Sequence, residues 1–252
     1  MVLVLLTAFG VGTATAIGAI IGLVFKNVTH KFSDIVSAFA TGIMLCTAIV
    51  SLILPALDTP NNFSILVCVS GIFLGAIFLN LIDRFIPHKH IEYNTMLESK
   101  NEKNNNANKI ILFVLAIAIH NFPEGLAAGV GFGLENVSHA FSIALGIALQ
   151  NIPEGMVIIA PMLSIGISKK KTLTIALLTG LIEVVGTLIG YLAVSIATFL
   201  LPFCLAFAGG TMLYVVGSEM LPETHAHGSH KSATYALLIG FCLMLVLDFY
   251  IG

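Results

Sequence analysis

The chain has 252 residues, of which 58% are hydrophobic and only 10% are charged, and its mean hydropathy is +1.02. Its formal net charge is −2, with 11 Lys and Arg residues against 13 Asp and Glu residues. This composition excludes a water-soluble globular domain, and so few basic residues argue against a nucleic-acid partner.

Long apolar runs, separated by short polar breaks, fill most of the chain. Several of them reach about 20 residues, the length at which a helix crosses a lipid bilayer. Because the runs are continuous rather than alternating, they predict membrane helices and not a β-barrel. We expect an all-α, polytopic membrane protein made of a single domain with eight helices. The predicted helices cover residues 2–25, 32–57, 63–86, 109–133, 139–166, 172–200, 203–222 and 232–251.

The basic residues predict the orientation of this bundle. All 11 Lys and Arg residues lie in or beside the odd-numbered loops between the predicted helices. By the positive-inside rule these loops are cytoplasmic, so both termini are expected to be extracellular. The longest polar segment, residues 87–108, is rich in Asn and Lys and is expected to be a flexible cytoplasmic loop. The membrane itself is either a bacterial plasma membrane, which we favour, or that of an organelle.

Two of the predicted helices carry nearly the same polar phrase. In each phrase the first residue and the glutamate are four positions apart, and the asparagine and the glutamate are three apart. Three polar groups therefore share one face of the helix, an arrangement that predicts a cation site. The phrases are His120-Asn121-Phe122-Pro123-Glu124-Gly125 and Gln150-Asn151-Ile152-Pro153-Glu154-Gly155.

A third glutamate, Glu183, lies at a similar predicted depth in the next helix. Along their helices, Glu124, Glu154 and Glu183 are about 18 to 22 Å from the nearest cytoplasmic lysine, near the middle of the bilayer. An acidic side chain there costs about 2.5 to 3.5 kcal/mol. No Lys or Arg lies inside a predicted span away from its ends. A divalent cation or protons must therefore compensate the three carboxylates.

The donor types indicate which cation binds. One histidine among oxygen donors suits zinc and other divalent first-row metals better than Cu(I), which prefers cysteine and methionine. The site holds either one metal ion or two adjacent ones. The candidate metal ligands are His120, Asn121, Glu124, Gln150, Asn151, Glu154 and Glu183.

Polar residues at the two ends of the pathway are candidates for capture and release. Glu219, Glu223 and His225 gather at the predicted cytoplasmic end of the seventh helix. They form either a release site for the metal or a simple polar loop. Asp58 lies at the opposite, extracellular end of the second helix, where ions would enter.

With the paired phrases and Glu183 in hand, the chain resembles the ZIP (Zrt/Irt-like) family of divalent metal transporters, and in particular its GufA-like branch. The resemblance implies metal ligands at the seven residues named above and uptake toward the cytoplasm. It implies zinc as the main substrate, with Fe²⁺, Mn²⁺ and Cd²⁺ as further candidates. It also implies a homodimer in which helices one, four, five and six move against the other four. Asn151 differs from family members that carry Asp at this position.

Three functions compete on this sequence. The principal hypothesis is a secondary transporter for divalent metals, with no enzymatic activity and no resident cofactor. A passive divalent cation channel is the nearest alternative. An intramembrane metalloenzyme is a weaker one, because the chain has no His-Glu-x-x-His motif and the asparagines offer no general base.

Overall fold

In the computed structural model of the chain, eight helices account for nearly all of the described residues, and no strand occurs among them. The described residues are 1–24, 29–58, 64–85, 106–134, 136–164, 166–228 and 230–252. Seven of the helices have the length and hydropathy to cross a membrane. The prediction of an all-α bundle of eight helices is confirmed. The helices are α1 (Val2–Val24), α2 (His30–Leu57), α3 (Ser64–Phe85), α4 (Asn106–Gly131), α5 (Val137–Ser164), α6 (Lys169–Ile196), α7 (Thr198–Thr224) and α8 (His230–Ile251).

The observed ends of the helices differ from the predicted ones by at most five residues, and two of the differences have a clear cause or consequence. α6 begins at Lys169 rather than at 172, because the side chain of Ser168 accepts a hydrogen bond from the Lys171 amide and caps the first turn. α4 begins at Asn106, so residues 106–108 of the expected flexible loop are helical. The rest of the predicted loop 87–108 lies outside the described residues.

Two of the helices contain a wider, π-helical segment that the sequence analysis did not anticipate. In α2 this segment is Thr47–Ile53, and in α7 it is Val216–Met220. Each is followed directly by Leu-Pro, at Pro55 and Pro222. Proline lacks an amide hydrogen, so the regular α-helical pattern cannot continue through it. The leucine amide before each proline instead bonds to the carbonyl five residues earlier. Such segments are frequent at functional sites, and the one in α7 carries Glu219.

Close packing at glycines divides the helices into two groups. In the first group, α1 packs on α5 and α6, and α4 packs on α6. In the second group, α2 packs on α8, and α3 packs on α7. At several of these crossings a side chain in place of glycine would overlap the backbone of the neighbouring helix. Such positions are Gly18, Gly155, Gly180, Gly125 and Gly129 in the first group and Gly42, Gly240, Gly75 and Gly210 in the second.

At one glycine between the two groups, the contacts are with side chains and not with the backbone. Gly146 of α5 lies opposite the side chains of Thr47 in α2 and Met244 in α8, not opposite their backbones. The two groups are the same sets of helices that the family resemblance implies. Glycines such as Gly18 and Gly75, each of which faces the backbone of a neighbouring helix, hold each group together by close packing.

Candidate metal site

The two polar phrases and Glu183 meet inside the first group of helices. Asn121 and Glu124 of α4, Gln150 and Asn151 of α5 and Glu183 of α6 are each no more than 2% exposed. His120 and Glu154 are partly buried. Pro153 and Gly155 beside them are also buried, and Gly155 allows α5 to lie directly on the α1 backbone at Thr15. The structure therefore brings the predicted ligands from three helices together in one buried layer.

Glu183 is the most heavily hydrogen-bonded side chain of this layer. Its Oε1 accepts hydrogen bonds from the Thr15 hydroxyl at 3.0 Å and from the Asn121 amide at 2.7 Å. Its Oε2 accepts one from the Asn151 amide at 2.6 Å. A single carboxylate thus joins α1, α4, α5 and α6. Thr15 was not predicted as part of the site, because nothing in the α1 sequence marks it.

Glu124 has a different environment from Glu183. Its Oε1 accepts a hydrogen bond from the Gln150 amide at 2.8 Å, whereas its buried Oε2 has no hydrogen-bond partner. The side-chain carbonyl oxygens of Gln150 and Asn151 are also buried without a hydrogen-bond partner. Buried polar atoms are nearly always satisfied in native proteins, so such a concentration at one place requires an explanation.

Across the described residues, four buried side-chain polar atoms lack a partner, and all four are oxygens that accept hydrogen bonds. Three of them, on Glu124, Gln150 and Asn151, lie in the predicted metal site. The fourth is an oxygen of Asp34. A hydrogen-bond donor or a cation would satisfy each of them, and oxygen atoms of this kind are ligands of divalent metals.

The charges of the side chains in this layer also favour the binding of a cation. Glu124, Glu154 and Glu183 lie within electrostatic reach of one another. Among the described residues, the only ion pairs involve histidine, so no Lys or Arg neutralises these carboxylates. As the side chains stand, no three His, Cys, Asp or Glu residues of the described part converge in a way that could hold a metal. Instead, the side-chain NH₂ groups of Asn121, Gln150 and Asn151 donate hydrogen bonds to the carboxylates of Glu124 and Glu183.

His120 connects the layer to the second group of helices. Its Nε2 lies 2.8 Å from Oε2 of Glu219 in the π-helical segment of α7. Glu219 was predicted only as part of a release site at the end of the helix. The structure places it in direct contact with a predicted metal ligand.

The other two predicted release residues have different surroundings. His225 contacts the Thr224 hydroxyl and the Leu221 carbonyl through Nδ1, and Thr234 through Nε2. Glu223 is exposed, and it lies within electrostatic reach of both His120 and Glu219. His225 is therefore held at the α7–α8 turn, while Glu223 lies near both members of the His120–Glu219 pair.

The predicted extracellular end contains one exposed and one bonded aspartate. Asp58 is exposed at the end of α2. Asp248 of α8 accepts hydrogen bonds from the hydroxyls of Ser51 in α2 and Ser142 in α5, at 2.7 and 2.8 Å. These two serines were not predicted, because a serine in an apolar helix gives no signal of a partner on another helix. The Ser142 contact, like that of His120 with Glu219, joins the two groups of helices.

Comparison with known proteins gives a consistent result. Residues 88–248 match the ZIP zinc transporter family. The zinc transporter GufA of Myxococcus xanthus is 39% identical over 247 residues, which cover 96% of each chain. The zinc transporter ZIPB of Bordetella bronchiseptica is 33% identical over 95% of this chain and 78% of its own length. The human zinc transporter ZIP11 is 28% identical over 98% of this chain and 97% of its own.

The match covers the buried layer of polar residues as well as the apolar helices around it, and the apolar helices themselves require a lipid environment. The chain is an integral, multi-pass membrane protein and a transporter rather than an enzyme. It belongs to the ZIP family.

Proposed function

We propose that this protein carries divalent first-row metal ions, zinc above all, across a membrane toward the cytoplasm through the site on α4, α5 and α6. The observation that carries the proposal is the set of partnerless oxygens on Glu124, Gln150 and Asn151 in a buried layer with three carboxylates. The relatives named as zinc transporters support the choice of metal.

The ion binds first on the side of Glu124. There the free Oε2 of Glu124 and the carbonyl of Gln150 are available, with His120 and Glu154 nearby. On the other side, both oxygens of Glu183 already accept hydrogen bonds from Thr15, Asn121 and Asn151. A second ion at Glu183 would have to displace those donors, which costs about 1 to 3 kcal/mol for each buried group left unsatisfied. One tightly held ion is therefore favoured over two.

The amide side chains change role between the empty and the loaded site. With no ion present, the NH₂ groups of Asn121, Gln150 and Asn151 face the carboxylates. Turning an amide about its last side-chain bond brings its carbonyl oxygen to the same place, where it can bind a cation. The same three residues can therefore stabilise the carboxylates when the site is empty and complete the shell of ligands when it is full.

Movement of one group of helices against the other provides access from each side in turn. The polar contacts between described residues that cross between the groups include His120 with Glu219 toward the inner end and Ser142 with Asp248 toward the outer end. Ions enter near Asp58, reach the central layer and leave past Glu219 and Glu223. Side-chain contacts such as those around Gly146 allow this movement, whereas the glycine crossings keep each group rigid.

The assembly is a homodimer in the plasma membrane of a bacterium. The most exposed apolar helices are α3 and α8, of which 22% and 17% is buried within the chain. Their faces are covered by lipid and in part by the second copy. Mass measurement of the detergent-solubilised protein, corrected for bound detergent, tests this state, and a monomer at all concentrations would contradict it.

Zinc uptake into proteoliposomes tests the function. The purified protein is reconstituted with a zinc-sensitive dye inside, and uptake is measured as external zinc increases. Uptake that saturates at low metal concentration supports a carrier, whereas a linear response supports the channel alternative. The Glu154→Ala variant should lose uptake while remaining folded in the membrane.

The control is Glu102→Ala, the same change in the polar sequence before α4, at a residue that lies outside those described. It should retain the uptake of the original protein. Full uptake by Glu154→Ala would reject the assignment of the site.

A further inference from the structure

A second cluster of metal-binding side chains lies at the end of the molecule where α2 begins. His30 and Asp34 are four positions apart on α2 and so share a face of that helix. His227, in the turn between α7 and α8, reaches the same place from a distant part of the sequence. Its Nδ1 lies 2.9 Å from Oδ1 of Asp34. Its ring stacks on that of His30, with the two centres 4.9 Å apart.

The contact with His227 accounts for only one of the two carboxylate oxygens of Asp34. Its side chain is only 3% exposed, and its second oxygen, Oδ2, is buried without a hydrogen-bond partner. This is the fourth partnerless oxygen of the described residues, and the only one outside the central layer. A carboxylate that only anchored the α7–α8 turn would be expected to have both oxygens satisfied.

The donor set suits a divalent transition metal. One carboxylate and two imidazoles are common zinc ligands, and a water molecule or a further acid completes the shell. As the side chains stand, no three His, Cys, Asp or Glu residues among those described are placed to hold a metal. Nδ1 of His227 faces Asp34. A cation between Asp34 and His227 would replace the hydrogen that now joins them, and a turn of the exposed His30 ring would bring in a second nitrogen.

The position of the cluster connects it with the central site. Glu223 lies within electrostatic reach of His120 and Glu219 on one side and of Asp34 and His227 on the other. The contacts thus run in sequence from the metal ligand His120 through the two glutamates to Asp34. All members beyond His120 belong to α2, α7 and the turn before α8, the group of helices that does not carry the central ligands.

We propose that Asp34, His227 and His30 form a second binding site for a divalent metal ion, which receives the ion from Glu223 at the inner mouth. The direction of transfer rests on the proposed function, but the existence of the site does not. His30 is exposed and the cluster is open on that side, so the ion exchanges quickly with the cytoplasm. The site therefore binds the ion transiently during its release and does not retain it.

Metal titration of a protein that lacks the central site tests the proposal. The full chain, purified through a tag without histidine and held in lipid nanodiscs, carries Glu124→Gln and Glu154→Gln. His88 and His90, which lie outside the described residues, are also changed to Gln. Co²⁺ is added and followed by its visible absorption, and Zn²⁺ is then used to displace it.

We expect one Co²⁺ ion per chain to bind in this background, and Asp34→Asn to abolish that binding or weaken it by at least about tenfold. His227→Gln should weaken it to a similar degree. His230→Gln is the matched control, because it makes the same change three residues away, and it should leave the titration unaltered.

Two outcomes would overturn the proposal: no Co²⁺ binding in the background protein, or unchanged binding in both Asp34→Asn and His227→Gln. If the buried Asp34→Asn variant does not fold, the exposed His30→Gln variant takes its place with the same expected loss. Because Glu124 and Glu154 of the central site are already replaced, failure here is distinct from failure of zinc uptake in the proteoliposomes.

Discussion

The carboxylates of the central layer have different hydrogen-bond partners from those of the inner mouth, the region around Asp34, Glu219, Glu223 and His227. In the centre, Glu124 and Glu183 are nearly inaccessible and are bonded mainly by neutral amides. At the mouth, Asp34 and Glu219 are bonded by the imidazoles of His227 and His120. An amide keeps its hydrogens and offers a weakly binding oxygen, whereas an imidazole exchanges a proton for a metal near neutral pH. This difference supports the proposal that the centre selects the ion and the mouth releases it.

The largest effect that would separate the two regions is expected for Glu124→Gln. The change removes the carboxyl group of a side chain that is 1% exposed and whose Oε2 has no hydrogen-bond partner. We expect zinc uptake into proteoliposomes to fall by at least about 100-fold, equivalent to about 3 kcal/mol. The Glu102→Gln protein serves as the control, and uptake within threefold of it would remove Glu124 from the site.

Glu183→Gln should affect both stability and transport. The new NH₂ group would face the donors of Thr15, Asn121 or Asn151, leaving buried groups unsatisfied. We expect the free energy of unfolding to fall by about 2 to 4 kcal/mol and uptake to fall by about 30-fold. Thermal unfolding in nanodiscs measures the first effect. Thr15→Ala, which removes only one of the donors, should cost about 1 kcal/mol and provides the scale for comparison. Equal stability of Glu183→Gln and the original protein would show that the carboxylate does not join the four helices.

Glu219→Gln probes the contact between the regions. The change leaves His120 with a neutral partner in place of a carboxylate at 2.8 Å. Release of the ion toward the mouth should slow, so we expect the maximal uptake rate to fall by about tenfold while the zinc concentration for half-maximal uptake changes little. A rise in that concentration at constant maximal rate would instead make Glu219 a ligand of first binding.

Asn151→Asp should make the centre more like a site for two ions. Aspartate cannot donate to Oε2 of Glu183, so two carboxylates would face each other where an amide now bonds one. We expect one additional zinc ion per chain in calorimetric titration, and a lower unfolding temperature in the presence of a chelator. Unchanged stoichiometry would indicate that features other than residue 151 limit the site to one ion.

His225→Gln should have the smallest effect. Its ring is already bonded to Thr234 and to the Leu221 carbonyl. We expect uptake to change by less than about twofold, the range of surface substitutions. A loss as large as that of Glu219→Gln would restore His225 to the release path.

The helices and the central site were largely predictable because their signals are local. Hydropathy alone located the eight helices, and residue spacing placed His120, Asn121 and Glu124 on one face. Spacing within a helix cannot reveal which residue of another helix lies opposite. The contact between Asp34 and His227, 193 residues apart, and the bonds of Thr15 and Asp248 were therefore missed.

Some missed features did leave a signal in the sequence. His30 and Asp34 have the same four-residue spacing as His120 and Glu124, but they lie at the start of a helix, where polar residues are ordinary. The Leu-Pro pairs at Pro55 and Pro222 mark the ends of both π-helical segments. Proline in a membrane helix is too common for such a segment to be inferred from it alone.

The glycine crossings have a consequence for how such a chain can change over generations. Where Gly18 or Gly125 lies against a neighbouring backbone, even one added methyl group would force two helices apart. Around Gly146, by contrast, side chains meet side chains, and a larger residue on one helix can be offset by a smaller one on the other. Mutational drift should therefore repack the boundary between the groups, while each group keeps its shape.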